Sequence, residues 1–120
     1  MNVFSFAISR PPKSVEGFLT DYNINRDTDI DYFLIHQANK MIVDRIVKKL
    51  KLPQAKVPYN LEEFGNLGGA SIPSLMVTRI RKQLQTEETA LLMSSFGLGL
   101  SWGTMWMKTA PMVIPEIVTM

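Results

Sequence analysis

The chain of 120 residues contains no cysteine. This absence excludes disulfide bonds and thiolate metal ligands, and it excludes a cysteine nucleophile within these residues. Only one histidine is present, His36, and it has no nearby ligand partner at helical spacing, so the sequence predicts no metal site. Any thiol chemistry therefore needs a cysteine from outside these residues.

Long apolar segments and strong net charge are lacking as well. No apolar run approaches the length of a membrane helix, and Met1 is not followed by a basic and then apolar signal segment. The expectation is a soluble, cytoplasmic protein that does not associate with membranes. The net charge of +2 argues against a general nucleic-acid binder. The length and a hydrophobic fraction of 46% are ordinary for one α/β domain with its own core.

The apolar patterns predict alternating strands and helices. In chain order, these are a strand at Val3–Ile8, a break at Pro11–Pro12, a helix at Ser14–Tyr22, a strand at Tyr32–Ile35, a helix to about Leu52, a helix capped by Ser71 and running through Leu84, and a hairpin of Ala90–Met93 with Leu100–Met107. The closing segment, Thr109–Met120, carries two prolines and is predicted to be an extended tail. The predicted domain therefore covers residues 1–108 and the tail covers residues 109–120.

His36 stands where the predicted strand Tyr32–Ile35 ends, just before an amphipathic helix. In open α/β sheets, ligands collect at the carboxyl ends of strands, so a titratable group there is well placed for chemistry. A single histidine is more often structural, and placement alone leaves both interpretations open.

Two glycine-bearing corners could lie near His36 in one sheet, at Gly65–Ser71 and at Ser94–Gly99. Taken singly, such corners are usually only turns. The first lacks the lysine and the spacing of a phosphate-binding P-loop. A serine hydrolase would need a Gly-x-Ser-x-Gly elbow, which the sequence does not contain.

Three blocks carry a family resemblance: Ile35–Asn39 (Ile-His-Gln-Ala-Asn), Phe64–Pro73, and Phe96–Gly103. In order and spacing they resemble the C-terminal half of a 3-oxoacyl-[acyl-carrier-protein] synthase III. The resemblance implies an α/β chain that forms the C-terminal half of a thiolase-like fold, a βαβαβαββ-type mixed sheet with helices. It also implies decarboxylative Claisen condensation of an acyl-CoA starter with malonyl-carrier protein, in fatty-acid biosynthesis.

The resemblance also implies roles for particular residues. His36 and the Asn66 amide would stabilise the enolate left by loss of carbon dioxide, and the Leu98 backbone N–H would face the acyl-cysteine oxyanion. Asn39 would contact the pantetheine arm, although it could equally cap the following helix. Phe96 would border the malonyl pocket or simply belong to the core. No resident cofactor is implied, because the substrates bring phosphopantetheine as thioesters of CoA or of the carrier protein.

The helix after His36 concentrates positive charge. It holds basic residues that could dock an acidic acyl carrier protein, with Arg45, Lys48 and Lys49 as the candidates. A solvated helix face is an equally good interpretation.

The resemblance begins at the second half of the family fold, so the cysteine would come from a missing N-terminal half. The face that packs against that half would be uncovered, with Trp102, Met105, Trp106 and the Met112–Ile114 segment helping to cover it. We therefore expect the chain alone to be inactive and to form homo-oligomers. Two alternatives stay open: a related condensing enzyme of lipid or secondary-metabolite synthesis, and a noncatalytic thiolase-fold pairing subunit.

Overall fold

The computed structural model describes residues 2–119 and has a mixed α/β architecture, as the sequence predicts. The helices are α1 (Val3–Ala7), α2 (Arg10–Asp21), α3 (Lys40–Leu50), α4 (Leu61–Phe64), α5 (Ser71–Thr78) and α6 (Arg81–Thr86), with short 3₁₀ turns at Gln54–Lys56 and Gly68–Ala70. The strands are β1 (Tyr32–Ile35), β2 (Thr89–Gly97) and β3 (Ser101–Thr109). Within residues 2–119, no helix is long and apolar enough to cross a membrane.

The three strands form one sheet in the order β1-β2-β3. Strand β1 runs parallel to β2, with Tyr32 opposite Leu91 and Ile35 opposite Ser94. Strand β3 returns antiparallel to β2, with Gly97 opposite Ser101. The predicted strand before His36 and the predicted hairpin are both confirmed.

The sheet is covered by helices on both faces, which explains why β1 is almost entirely apolar. Alternate residues of a strand point to opposite faces. Phe33 and Ile35 accordingly join the core cluster that includes residues of α2 and α3, whereas Leu34 joins a second cluster that includes residues of α5 and α6. β1 is therefore packed on both faces, and this packing fixes the position of the backbone from which His36 follows.

Helix α3 forms because its sequence supplies both an apolar face and a cap. Five of its residues are buried: Ile42, Val43, Ile46, Val47 and Leu50. The Asn39 side chain accepts a hydrogen bond from the Ile42 N–H at 2.9 Å, which satisfies one of the free donors at the helix start. The helix ends at Lys51, which adopts a left-handed conformation with φ of 52°.

The predicted strand at Val3–Ile8 is wrong, because Val3–Ala7 is helix α1. The Asn2 side chain caps this helix by accepting from the Ser5 N–H at 2.8 Å. Phe6 and Ala7 are buried together on its inner side. The apolar run that indicated a strand is therefore partly buried by one short helix.

Pro11 and Pro12 begin helix α2 rather than separating two elements, so that helix starts at Arg10 and not at Ser14. Proline is tolerated in the first turn of a helix, where its missing N–H would have no partner. Both prolines are buried, so they also contribute to packing.

The single helix predicted from Ser71 to Leu84 is two helices that meet at Ile80. Ser71 is the first helical residue and makes no capping bond, so its predicted role as a cap is wrong. Ile80 and Leu84 are buried in the same cluster as Leu75. The break lets both short helices place apolar residues on the sheet.

Residues 110–119 contain no helix or strand. Ile114 is buried with Leu84, and its carbonyl accepts from the Arg81 Nε at 2.9 Å. This segment therefore lies against α6. Strand β3 extends to Thr109. The predicted domain boundary at residue 108 stays a prediction. Met1 and Met120 lie outside the described residues.

Candidate active site

A cleft of about 570 Å³ opens at the ends of strands β1 and β2. Its lining comes from all three sequence corners and from the start of β3: His36, Asn66, Gly68, Gly69, Ser95, Phe96, Gly97, Leu98, Ser101, Trp102 and Gly103. Four of the five residues predicted for catalysis or substrate contact line this one cleft. Their chemical roles stay predictions.

His36 continues the sheet beyond the end of β1. Its backbone N–H donates to the Ser94 carbonyl at 2.9 Å, which fixes where the side chain leaves the backbone. The imidazole packs edge-on against the Phe96 ring, with centroids 5.1 Å apart and an interplanar angle of 85°. His36 is only 8% exposed, and this burial lowers the pKa of the imidazole. The ring is therefore neutral at pH 7, with one N–H to donate.

Asn66 lies in a loop that depends on two glycines. Gly65 and Gly68 have φ of 65° and 59°, values that side-chain-bearing residues rarely adopt. The Asn66 Oδ1 accepts from the Gly68 N–H at 2.9 Å, which determines the orientation of the amide. Its Nδ2 has no protein acceptor among residues 2–119 and can donate to a bound molecule.

Phe96 fits both interpretations left open by the sequence, because it borders the cleft and is also 7% exposed in the core. Leu98 lies at the hairpin tip, where its side chain is 87% exposed. Asn39 does not line the cleft; its side-chain oxygen caps α3. The pantetheine contact predicted for Asn39 stays a prediction.

The basic residues of α3 divide into two groups. Arg45 and Lys48 border a shallow groove on the helix surface together with Met41, outside the cleft. Lys49 instead donates from Nζ to the Ile8 carbonyl at 3.1 Å and so ties α3 to the end of α1. Only two of the three predicted docking residues therefore share one surface.

The sequence analysis missed two buried polar residues beside the site, Gln37 and Asn60. They are 0% and 2% exposed and are joined by a hydrogen bond. The available signal was the position of Gln37 directly after His36. Within residues 2–119, no group of three or more histidine or acidic side chains could hold a metal ion.

Comparison with known proteins decides the family. The family model described as 3-oxoacyl-[acyl-carrier-protein (ACP)] synthase III C terminal matches residues 21–109. The chain belongs to this synthase III C-terminal family.

The relatives of this synthase III C-terminal domain are longer proteins named as synthase III enzymes. The chain is 42% identical over 103 residues to a beta-ketoacyl-[acyl-carrier-protein] synthase III of Limosilactobacillus reuteri, a match that covers 86% of the chain and 32% of the relative. The identity to a beta-ketoacyl-[acyl-carrier-protein] synthase III of Streptococcus pyogenes is 40% over 108 residues, which cover 88% of the chain and 33% of that relative. The chain therefore spans about a third of the length of these relatives.

Solved structures agree with this assignment. A 3-oxoacyl-(acyl-carrier protein) synthase of Burkholderia xenovorans superposes with a TM-score of 0.89 at 36% identity, covering 95% of the chain and 32% of that structure. The synthase III of Pseudomonas aeruginosa gives 0.81 at 29% identity, covering 94% and 35%. The thiolase-like fold predicted for this synthase III C-terminal domain is confirmed.

The burial of His36 predicts how the domain responds to acid. The unfolded chain takes up a proton on His36 near pH 6.5, whereas the folded chain does so only at lower pH. As the pH falls through 6.5, the unfolded state binds more protons than the folded state, so the free energy of unfolding decreases. Above pH 6.5, His36 is neutral in both states and adds no pH dependence to it.

Because His36 is the only histidine, its ring C–H signals can be followed by NMR without ambiguity, and their titration midpoint should lie below 6.5. His36→Gln serves as the control, since it should lose less stability between pH 7 and pH 5 than the wild type. A midpoint at or above 6.5 would contradict a buried, neutral imidazole.

Proposed function

We propose that this chain is the C-terminal part of a ketoacyl synthase III that condenses an acyl-CoA starter with malonyl-carrier protein in fatty-acid biosynthesis. The observation that carries the proposal is the shared cleft, where a neutral His36 and the Asn66 amide both offer N–H donors. The names of the relatives support the same reaction. A cytoplasmic location, expected from the sequence, stays a prediction.

The proposed reaction has two half-reactions. In the first, a cysteine thiolate attacks the acyl-CoA thioester, the acyl group passes to the cysteine, and CoA leaves. In the second, malonyl-carrier protein loses carbon dioxide, the resulting enolate carbon bonds to the acyl carbonyl, and the cysteine thiolate leaves. The cysteine must come from outside these 120 residues, because they contain none.

The contribution of this chain is to stabilise negative charge on oxygen. Loss of carbon dioxide leaves an enolate whose charge sits largely on the thioester oxygen, and fixed donors aimed at that oxygen lower the barrier. A neutral imidazole suits this role because it needs only to donate. The Asn66 Oδ1 is already engaged by Gly68, so the free end of the amide is its donor end. We assign the Leu98 backbone N–H to the acyl-cysteine oxyanion.

Replacing either donor should separate the two half-reactions. In the complete synthase, His36→Ala or Asn66→Ala should slow malonyl decarboxylation about 100- to 1,000-fold, the usual effect of losing one oxyanion donor. Acylation of the cysteine should change little, because it does not form the enolate. The two rates are measured separately, by release of carbon dioxide and by transfer of labelled acyl groups to the enzyme.

Ser95→Ala is the matched control, since Ser95 lines the same cleft and has no assigned role. Equal losses in both half-reactions for His36→Ala would indicate a structural histidine and would reject the assignment.

We further propose that the surface groove of α3 docks the acyl carrier protein. Arg45 and Lys48 border the groove, and Met41, one turn before Arg45, adds an apolar surface that is 58% exposed. A basic rim attracts an acidic carrier and mainly raises the association rate. Lys49 is left out of the test, because its contact with the Ile8 carbonyl supports the fold.

Reversing the charge of Arg45 and Lys48 to glutamate should raise the KM for malonyl-carrier protein while leaving kcat close to normal. The effect should be greatest at low salt, where charges are least screened. Steady-state kinetics over a salt series measures this.

Lys13→Glu with Lys82→Glu makes the same change in net charge on α2 and α6, where the residues are exposed. Malonyl-CoA provides the second control, since it lacks the carrier. A docking role is rejected if both malonyl substrates, or both double variants, are affected alike.

Exposed apolar side chains on strand β3 support the view that a further part of the protein covers this domain. β3 is an edge strand, and Trp102, Met105 and Trp106 on it are 45%, 57% and 37% exposed. The sequence suggested that the segment from Met112 to Ile114 also takes part at this surface, but Ile114 is buried with Leu84. An unpaired strand edge with exposed apolar side chains readily pairs with another chain.

We therefore expect the purified 120-residue chain to form homo-oligomers and to show no condensing activity. Light scattering over a concentration series measures the first property, and a malonyl-dependent ketoacyl assay measures the second. Met105→Lys should shift the chain towards monomer, whereas Lys82→Met on α6 should not. A monomer at all concentrations would refute the exposed-edge argument, and ketoacyl product would refute the need for an external cysteine.

A further inference from the structure

The side chain of Gln37 is completely buried directly after His36. Its Nε2 donates to the Ile35 carbonyl at 2.8 Å, and its Oε1 accepts from the Asn60 N–H at 3.2 Å. A carbonyl can only accept and a backbone N–H can only donate, so both ends of this amide are fixed. Gln37 therefore connects the end of β1 to the segment that leads to Asn66.

Asn60 continues this connection into helix α5. Its Nδ2 donates to Ser74 Oγ at 2.9 Å and to Thr78 Oγ1 at 3.2 Å. Ser74 donates its own proton to the Ser71 carbonyl, and Thr78 donates to the Ser74 carbonyl. Because each hydroxyl has one proton and has used it, both can only accept from Asn60.

The backbone of Asn60 also starts the turn that carries Asn66. Its carbonyl accepts from the N–H groups of Glu63 and Phe64 at 3.2 and 3.0 Å, which forms the first turn of α4. The Gly65 N–H then donates to the Leu61 carbonyl at 2.9 Å. Asn66 follows Gly65 directly, so the turn that Asn60 begins leads into a residue that lines the cleft.

The Asn60 amide is buried with only its donor end paired. It is 2% exposed, and its Oδ1 has no hydrogen-bond partner among residues 2–119. A buried acceptor without a partner costs free energy, and an apolar side chain of the same shape would avoid that cost. Against that cost stand the two hydrogen bonds that the Asn60 amide donates to α5.

We propose that Gln37 and Asn60 are positioning residues that hold His36 and Asn66 at the separation needed for two donors to reach one oxygen. The hydrogen bonds run from Ile35 through Gln37 to Asn60, and from Asn60 to both α4 and α5. This inference rests on the proposed function of His36 and Asn66. Gln37 and Asn60 do not line the cleft, so they act through those two residues.

The test uses the complete synthase with near-isosteric apolar variants, Gln37→Met and Asn60→Leu. Misplacing catalytic groups by about 1 Å can cost on the order of 100-fold in rate, so decarboxylation should fall about 10- to 100-fold. Acylation of the cysteine on the same preparation counts the correctly folded enzyme. A variant that merely folds less well lowers both rates equally, whereas a positioning defect lowers only decarboxylation.

Gln83→Met is the matched control, because it removes a different side-chain amide bonded to β1. The Tyr32 hydroxyl donates to Gln83 Oε1 at 2.6 Å, at the end of the strand away from His36. This variant should leave the ratio of the two half-reactions unchanged. If it lowers the ratio as much as Gln37→Met does, the effect comes from strand packing and the proposal fails.

Three further comparisons complete the test. Gln37→Met should cause a smaller loss in a His36→Ala background than alone, because effects that act through one group are not additive; full additivity would overturn the proposal. If Asn60→Leu does not fold, Ser74→Ala with Thr78→Val removes the same acceptors from α5 and should lower the ratio. The His36 ring signals should shift in Gln37→Met and not in Gln83→Met.

The outcomes separate the two levels of inference. If His36→Ala and Asn66→Ala leave decarboxylation intact, the proposed function fails. If those two variants suppress it while Gln37→Met and Asn60→Leu do not, only the positioning role is rejected.

Discussion

The parallel pairing of β1 with β2 is the interaction on which the rest of the structure depends. It is continued past the end of β1 by the hydrogen bond from the His36 N–H to the Ser94 carbonyl. Because of that bond, His36 and Phe96 leave the sheet at the same edge, with their rings in contact. The hairpin tip and the Asn66 loop then complete a cleft around a pair that the sheet has already fixed.

Three parts of the fold were predictable from the sequence. β1, α3 and the β2–β3 hairpin were found where the pattern indicated, because burial decides their conformation. The strand predicted at Val3–Ile8 was wrong because a short, nearly continuous apolar run fits a strand and a short buried helix equally well. The Asn2 cap favours the helix, and this cap depends on one side-chain atom rather than on a repeating pattern.

Some features of the candidate site could likewise be predicted from the sequence, and others could not. His36 and the glycine corners could be placed from the sequence, since each directly follows or precedes a predicted element. The hydrogen bond between Gln37 and Asn60 could not, because it joins residues 23 positions apart across a turn that no local pattern describes. The sequence also could not separate Lys49 from Arg45 and Lys48, since only the structure shows that Lys49 donates to the Ile8 carbonyl at the end of α1.

The register of the sheet also has a consequence for the order of folding. The β2–β3 hairpin joins neighbouring segments, whereas β1 must bring residue 32 opposite residue 91. Closing a long loop costs more chain entropy, so contacts between distant segments form late. We expect the hairpin to form before β1 docks on it. A chain arrested at that stage has Phe96 but no imidazole beside it, so the cleft would be completed only when β1 docks.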